Sequence, residues 1–306
     1  KEVLLMQLML GNEAVARGAW EAGVTVATAY PGTPSTEITE YISAYPEVYC
    51  EWSPNEKVAL EVAIGAAMGG ARALCCMKHV GVNVAADPLF TAAYTGVNGG
   101  LVLVVADDPG MHSSQNEQDS RFYARSAHLP MLEPADSAEC KDYMKRAFEL
   151  SEQYDTPVMV RLVTRIAHAR SLVQPGQREK YTLKEYKKDP KKWVMMPGNA
   201  KGRHLVVEAR EKRLLEEIGT LGLNRAEYND TSVGVVCSGA AYNYVKEAMP
   251  NASVLKLGIV YPLDGNLIRA FAAKVDTLYV IEELEPFFED AIRAMGDAYL
   301  TYALQN

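Results

Sequence analysis

The chain is 306 residues long, enough for about two domains. Apolar residues make up 48% of it and charged residues 23%, which excludes disorder, collagen-like repeats and a coiled coil as descriptions of the whole. The net charge of -8 argues against a nucleic-acid partner, and no apolar run reaches the roughly 20 residues of a membrane span.

The N-terminal stretch and the cysteines indicate a cytoplasmic protein. Val3–Leu10 is apolar but lacks a cleavage site, so we interpret it as the lead-in to a first element rather than a secretory signal. The 5 cysteines contain no C-x-x-C pair, which excludes a zinc ribbon or an iron–sulfur cluster within this chain. Their irregular spacing suits a reducing compartment, and each is expected to be a small buried hydrophobe.

Helix and strand patterns alternate through the first half of the chain. The predicted elements are a helix over Gly11–Ala22, a strand over Val24–Tyr30, a helix through Ile38–Ser43, a small-residue helix within Asn55–Ala73, strands over Leu74–Lys78 and Leu101–Ala106, a helix over Cys140–Gln153 and a strand over Pro157–Leu162. Ser35 or Thr36 is expected to cap the second helix. Continuous apolar strands without alternation predict a parallel sheet covered on both faces.

A polar stretch separates this region from a second α/β unit. From about Gln174 the chain is rich in Lys, Tyr and Asp, and this exposed connection, which includes Met195–Gly202, leads into a charged helix over Val206–Ile218. The second unit has predicted strands over Val233–Cys237, Ser253–Ile259 and Thr277–Glu282 and helices over Ala240–Ala248, Leu267–Lys274 and Phe287–Ala294. This succession predicts right-handed crossovers and a small parallel sheet.

Three loops with polar or turn residues follow predicted strands. They are Tyr30–Thr36, Lys78–Asn83 and Asp107–Asp119. Such loops are common singly, but together they lie at the carboxyl edge of one sheet, where ligands of open parallel sheets bind. Nucleotide-loop, zinc-protease and nucleophile-elbow motifs are absent, and the histidines lack metal-ligand spacing. His79 and His112 are of interest because both fall in these loops.

Glu56 begins an Ala- and Gly-rich helix that must be buried along most of its length. A carboxylate there either caps the helix or binds a ligand. Composition alone favours capping.

The order of the motifs resembles a known family. Tyr30–Glu37, Glu51–Ala67 and Val105–Gly110 through Gln115–Asp119 are similar to the thiamine-diphosphate-dependent 2-oxoacid:ferredoxin oxidoreductases, most of all to alpha subunits of the indolepyruvate-specific enzymes. Leu10–Ala19 and Val280–Pro286 are also similar to that family.

The resemblance implies an α/β fold with two domains. Residues 1–175 would form a pyrimidine-binding domain with a parallel sheet flanked by helices, residues 176–230 a polar connector, and residues 231–306 a smaller transketolase C-terminal-like domain.

The resemblance also implies site residues. Glu56 would bond to N1′ of the coenzyme's aminopyrimidine, and Thr33 would lie near the substrate and the thiazolium, with Pro31 and Gly32 beside the coenzyme. A carboxyl group in an apolar pocket shares a proton readily, which would help activate C2 of the thiazolium. Asn83, His79 and His112 are candidates, with Thr33, for binding the substrate.

The chain departs from the family in three ways. It has no Gly-Asp-Gly motif for magnesium and diphosphate, since Leu263–Asn266 is interpreted as a turn, and it has no ferredoxin-type cysteines. Thiamine diphosphate would therefore be shared with a partner domain or subunit that carries Mg²⁺ and the iron–sulfur clusters. Where pyruvate-type relatives place a substrate-binding arginine, this chain has Asp107-Asp108.

Three functions are compatible with these features. The first is a subunit of an enzyme that oxidises an aryl 2-oxoacid, with coenzyme A and ferredoxin as further partners. The second is a subunit of a non-oxidative 2-oxoacid decarboxylase that uses the same coenzyme. The third is a scaffold subunit with an unused pocket, because a fold does not determine a function. Retention of Glu56 within its motif argues against the third.

Overall fold

The computed structural model describes residues 5–296 and 300–304. In chain order the first elements are β1 Gln7–Leu10, α1 Gly11–Glu21, β2 Val26–Ala29, α2 Thr36–Ile42, β3 Tyr49–Trp52, α3 Glu56–Met68, β4 Ala73–Lys78, α4 His79–Thr95, β5 Leu101–Asp107, α5 Arg121–Ala127, β6 Met131–Leu132, α6 Ser137–Tyr154, β7 Val158–Val163, α7 Thr164–His168 and β8 Arg170–Val173. They are followed by α8 Pro190–Trp193, α9 Pro197–Glu217, β9 Arg225–Glu227, β10 Asp230–Ser238, α10 Gly239–Ala248, β11 Ala252–Leu257, β12 Ile259–Tyr261, α11 Gly265–Ala272, β13 Thr277–Ile281, α12 Phe287–Ala294 and β14 Leu300–Leu304.

The main sheet has seven strands in the order β12-β6-β7-β5-β4-β2-β3. The strands from β6 to β3 are parallel, and only β12 at the edge is antiparallel. Side chains of β4 alternate between two cores: Leu74 and Cys76 pack with α1, α2 and α6, while Cys75 and Met77 pack with α3, α4 and α5. Every residue of β4 and β5 is buried, which confirms the predicted parallel sheet covered on both faces.

The second sheet has the order β14-β13-β10-β11-β9, with an antiparallel edge at β9. The single strand predicted over Ser253–Ile259 is wrong, because the chain changes sheets at Gly258. There β11 ends, and β12 pairs with β6 of the main sheet, Ile259 opposite Leu132. A Cβ at Gly258 would lie 2.3 Å from the backbone oxygen of Leu223, so only glycine fits this crossing.

Helix α4 corrects the prediction of a loop over Lys78–Asn83, since Lys78 ends β4 and His79 begins the helix. Gly81 and Pro88 lower the helix propensity of this segment, and the pattern therefore resembled a turn. Burial of one face against α3 and β5 outweighs that local preference.

The connector also differs from the prediction. Helix α9 begins at Pro197, within the stretch predicted to be irregular, because proline is tolerated in the first turn of a helix. Before it, Arg178 donates to the backbone oxygens of Trp20 (2.7 Å) and Val24 (2.9 Å). Glu179 pairs with Arg72 at 3.2 Å, just before β4 begins. The connector thus lies along the amino edge of the main sheet, while the division into residues 1–175, 176–230 and 231–306 stays a prediction.

The structure also tests the predictions for the cysteines, for the turn at Leu263–Asn266 and for a membrane span. Four cysteines are buried as expected, whereas Cys50 is only half-buried, and burial raises the pKa of the Cys75 thiol to about 12. Asp264 of the Leu263–Asn266 turn caps α11 by accepting from Leu267 N at 3.0 Å. In the described part of the chain, no helix has the length and apolar character required to cross a membrane.

Buried arginines connect the two sheets. Arg161 of β7 donates to Asp107 at 2.6 Å and pairs with Glu133, which accepts from Ser238 Oγ of β10 at 2.7 Å. All four of these residues are almost completely buried. Burial raises the pKa of Asp107, while Arg161 beside it opposes that shift.

A second buried arginine extends this network. Arg121 pairs with Asp119 at 2.5 Å and with Glu282, at the end of β13, at 2.7 Å. It also donates to the backbone oxygens of Glu283 (2.8 Å) and Glu285 (3.0 Å). Both sheets therefore contribute the ends of their strands to one set of buried charges, which we call the arginine network.

The arginine network generates a stability prediction. Arg161→Met leaves Asp107 and Glu133 buried without their cation, and should lower the free energy of unfolding by about 3–5 kcal/mol. Arg293→Met is the matched control, because the Arg293 side chain is 54% exposed and, within the described residues, pairs only with Glu289 one turn away. This substitution should cost less than about 1 kcal/mol. Urea denaturation measures both. Equal, small effects would show that the network does not hold the sheets together.

Candidate active site

The structure brings the three strand-end segments together at the carboxyl edge of the main sheet. Strands β2, β4 and β5 are parallel neighbours, so their following segments emerge side by side. Lys78, at the end of β4, connects the other two: Gly32 lies over its Cβ, and its ammonium donates to Ser113 O at 2.6 Å.

Glu56 is the first residue of α3 and is 9% exposed. The capping role that composition favoured is wrong, because Asn55 caps the helix: its Oδ1 accepts from Val58 N at 2.9 Å. Among the described residues, no hydrogen bond or ion pair reaches the Glu56 carboxylate. The structure thus leaves a largely buried carboxylate without a partner.

Gly81 in the first turn of α4 provides the space for that carboxylate. A Cβ at position 81 would lie 2.6 Å from Glu56 Cγ and 2.7 Å from Oε1. The sequence analysis did not single out Gly81, because the segment was predicted to be a loop, where glycine is common. Within a buried helix, a glycine indicates that another group lies close to the backbone.

The loop after β2 presents its predicted residues to solvent. Pro31 and Thr33 are exposed and Gly32 is half-buried. Thr36 Oγ1 accepts from Gly32 N, and Ser35 donates to Gly32 O, both at 2.9 Å. Ser35 is the N-cap residue of α2, as predicted, but no side chain caps the helix, because both hydroxyls bond to Gly32 instead of accepting from the helix. Thr33 is thereby held on a fixed turn.

The two histidines occupy different environments. His79 is 1% exposed; its Nε2 lies 3.3 Å from Asn116 O, and its Nδ1 is buried with no partner in the described structure. His112 is exposed and lines a cavity of about 350 Å³ with Arg165, Tyr244 and other residues. Only His79 therefore lies directly beside Lys78 and Gly81.

Asn83 lies one turn further along α4. Its side chain is exposed, and its Oδ1 accepts a short hydrogen bond from the Tyr123 hydroxyl. The structure therefore separates Asn83 and His112 from the first turn of α4, where Glu56, Lys78 and His79 meet.

The two aspartates after β5 are structural. Asp107 belongs to the arginine network. Asp108 accepts from Ser113 N (2.8 Å), Ser114 Oγ (2.5 Å) and Thr164 Oγ1 (2.7 Å). Burial alone would raise the pKa of Asp108, but these hydrogen bonds lower it to about 2. The Asp108 carboxylate is satisfied inside the protein. Asp107 accepts through Oδ2, while its Oδ1 is buried with no hydrogen-bond partner among the described residues.

Among residues 5–296, no cluster of three or more His, Cys, Asp or Glu side chains is arranged to bind a metal ion. The site groups a largely buried glutamate, a buried lysine, a histidine and an exposed threonine at one edge of the sheet. Such a set can exchange protons and bind an anion.

Comparison with known proteins identifies the family. A family model described as pyruvate flavodoxin/ferredoxin oxidoreductase, thiamine diphosphate-binding, matches residues 17–215. The indolepyruvate oxidoreductase subunit IorA of Archaeoglobus fulgidus is 44% identical over 94% of this chain and 48% of its own length, and that of Methanothermobacter thermautotrophicus is 45% identical with the same coverage. The chain thus spans about half the length of these curated relatives.

A solved structure has a similar fold. The 2-oxoglutarate:ferredoxin oxidoreductase from Magnetococcus marinus superposes with a TM-score of 0.81 at 17% identity, covering 100% of this chain and 63% of that one. The arrangement of both sheets is therefore one that occurs in solved structures.

Asp108 should make stability depend on acid pH. Because its pKa in the folded protein is about 2, below the ordinary 3.8, the ionised carboxylate stabilises the fold at neutral pH, and this contribution is lost as the pH falls through that interval. Asp108→Asn should therefore be less stable than wild type at pH 7, with the difference shrinking towards pH 2. Denaturation midpoints across this range measure it. Asp142→Asn, at a side chain 64% exposed, is the control and should show no such convergence.

Proposed function

Because this chain belongs to the pyruvate flavodoxin/ferredoxin oxidoreductase, thiamine-diphosphate-binding family, we propose that it is part of an enzyme that oxidatively decarboxylates an aryl 2-oxoacid such as indolepyruvate. Coenzyme A would accept the acyl group and ferredoxin the electrons. The names of relatives 44% and 45% identical to the chain support the substrate class. The observation that carries the proposal is the buried Glu56 carboxylate with no partner in the described structure.

The residues present fit the pyrimidine end of thiamine diphosphate. A carboxylate that is buried and unpaired needs a donor, and a protonated ring nitrogen such as N1′ of the coenzyme would supply one. Gly81 leaves the space for the carboxylate, and Gly32 lets the loop after β2 lie close over the end of β4. When bound, the coenzyme supplies a carbon nucleophile and an electron sink.

Glu56 would hold the proton at N1′. The carboxyl group lies on an apolar helix whose buried residues include Ala59 and Leu60, and low polarity strengthens a hydrogen bond to a charged group. Asn55 performs the capping, so Glu56 is free to exchange a proton without loosening the helix. The geometry thus separates the structural task from the chemical one.

The loop residues would position the substrate. Thr33 is exposed on the fixed turn over Lys78, and its hydroxyl can donate to an oxygen of the 2-oxoacid. His79 is the neighbour of Lys78 at the start of α4, and we assign it to the same end of the substrate. Asn83 and His112 lie further out, and we assign them to the outer part of the substrate or to coenzyme A.

Other parts of the reaction would come from outside these 306 residues. Mg²⁺, the diphosphate-binding domain and ferredoxin-type clusters are assigned to the partner region or subunit. We also place the complex in the cytoplasm, where ferredoxin and reduced thiols coexist.

Glu56→Gln tests this proposal in the complex with its partner subunit. We expect hydrogen–deuterium exchange at C2 of the bound coenzyme and 2-oxoacid turnover to fall by about 10²- to 10⁴-fold, because the proton at N1′ is no longer shared with a carboxylate. Thermal stability should be unchanged. Glu61→Gln, on an exposed side chain of the same helix, is the control.

Unchanged exchange and turnover in Glu56→Gln would remove Glu56 from this role. Release of aldehyde instead of acyl-CoA by the wild-type complex would favour the non-oxidative decarboxylase. A complex that binds no thiamine diphosphate would favour the scaffold.

Gly81→Ala tests the position of the carboxylate rather than its presence. The added methyl would displace Glu56 by contact at 2.6–2.7 Å, and a displacement of about 1 Å can cost on the order of 10²-fold in rate. The fold should persist, because the Glu56 side chain can move aside. Gly65→Ala is matched to it, since a Cβ there has nothing within 4 Å. It should keep the C2 exchange rate and gain up to about 1 kcal/mol of stability. Normal exchange in Gly81→Ala would contradict the assigned position.

A further inference from the structure

Lys78 is a buried cation that forms no ion pair with a carboxylate of the described structure. Asp108 is near enough for the Lys78 charge to lower the pKa of its carboxyl group, but its hydrogen bonds go to Ser113, Ser114 and Thr164. Lys78 is 9% exposed, and its ammonium makes one hydrogen bond, to the backbone oxygen of Ser113 at 2.6 Å. Within residues 5–296, no Asp or Glu oxygen forms an ion pair with it at 4.0 Å or less. An ammonium has three donors, so two remain for another partner.

Other buried cations of the chain are satisfied differently. Lys256 pairs with Glu139, and Arg121 and Arg161 belong to the arginine network. Arg210 has no carboxylate partner in the described structure, but donates to two backbone oxygens, those of Asp155 at 2.7 Å and Ala93 at 2.9 Å. Burying a charge costs free energy unless it is paired, so the remaining capacity of Lys78 indicates an anionic partner supplied from outside.

The position of Lys78 indicates which anion. Lys78 precedes the first turn of α4, and Gly81 of that same turn contacts the Glu56 carboxylate. Gly32, next to Thr33, lies over its Cβ. No side chain caps α4, so the N–H groups of its first turn also face an incoming anion favourably. The cation is thus adjacent to the reaction site, not on a remote surface.

We propose that Lys78 binds the carboxylate of the 2-oxoacid. This inference rests on the proposed function. Pyruvate-type relatives place a substrate-binding arginine after the strand that matches β5. This chain has Asp107 and Asp108 there instead, and both form hydrogen bonds within the protein. A lysine at the end of the neighbouring strand β4 supplies the positive charge instead, and Thr33 and His79 lie beside it.

The chemistry predicts how this interaction affects the kinetics. When the carbon–carbon bond breaks, the carboxylate leaves as uncharged CO₂ and its electron pair passes to the electron sink that the coenzyme supplies. The ammonium therefore stabilises the bound substrate more than the transition state. Removing it should raise KM without lowering kcat.

Lys78→Met in the complex with its partner subunit tests the inference. We expect KM for indolepyruvate to rise about 10- to 100-fold, the loss typical of a charge-assisted hydrogen bond, with kcat unchanged or higher. As competitive ligands, indolepyruvate and its uncharged methyl ester should differ strongly in affinity in wild type and little in the variant. Lys78→Arg should keep most of the preference for the acid. Lys191→Met, on the exposed connector, controls for net charge.

The outcomes separate this inference from the proposed function. C2 exchange of the bound coenzyme should be normal in Lys78→Met and lost in Glu56→Gln. An unchanged preference for the acid over its ester in Lys78→Met overturns the inference even if Glu56 behaves as proposed. If Lys78→Met loses affinity equally for indolepyruvate and for its methyl ester, Lys78 has a structural role, and the inference is overturned as well. Should Lys78→Met not fold, Lys78→Gln retains a donor for Ser113 without the charge, and the same ligand comparison applies.

Discussion

The arginine network is the constraint on which the rest of the structure depends. Arg161 and Arg121 are withdrawn from water at the place where the strands of both sheets end, and each must be matched by carboxylates at hydrogen-bond distance. The partners come from β5, from the segment before α5 and from the end of β13, so the charge balance holds only when both sheets are in place. The second unit is therefore fixed relative to the first by electrostatic pairing as well as by the shared apolar core and the crossing of β12.

This constraint extends to the candidate site. Asp107 and Asp119, both held by buried arginines, are the two ends of the loop after β5. Within that loop, Ser113 accepts from Lys78, and Asn116 lies at hydrogen-bond distance from His79. The first turn of α4 is thus braced from one side by the loop and from the other by Glu56 packed on Gly81. Rigidity at this turn is what proton exchange and substrate orientation require, because small displacements of reacting groups are costly.

The unpaired charges, rather than the paired ones, support the proposed function. Asp107, Asp108 and the two network arginines form ion pairs or hydrogen bonds within the protein, although Asp107 Oδ1 and Arg161 Nη2 have no hydrogen-bond partner among the described residues. We interpret the role of these four side chains as structural. The Glu56 carboxylate lacks a partner among the described residues and the Lys78 ammonium has only one carbonyl, although both are buried. A protein tolerates that cost where a ligand supplies the missing partners. A cationic ring nitrogen for Glu56 and a substrate carboxylate for Lys78 have the required, opposite signs, and both belong to the chemistry of the family.

The amino-acid sequence by itself determined the parallel sheet covered on both faces and the three strand-end segments, because apolar runs and turn residues are local signals. It indicated the family through the resemblance of its motifs. It also placed the final helix at Phe287–Ala294, as observed. Asn55 rather than Glu56 caps α3 through a local hydrogen bond that the composition of the helix did not indicate. Only the tertiary structure decided that α4 forms despite Gly81 and that the chain changes sheets at Gly258. These two outcomes depend on contacts between residues far apart in the chain, which alter the cost of leaving a group buried, unpaired or crowded. The burial of Lys78 without a carboxylate is of the same kind: no local pattern records which charges will find partners once the chain has folded.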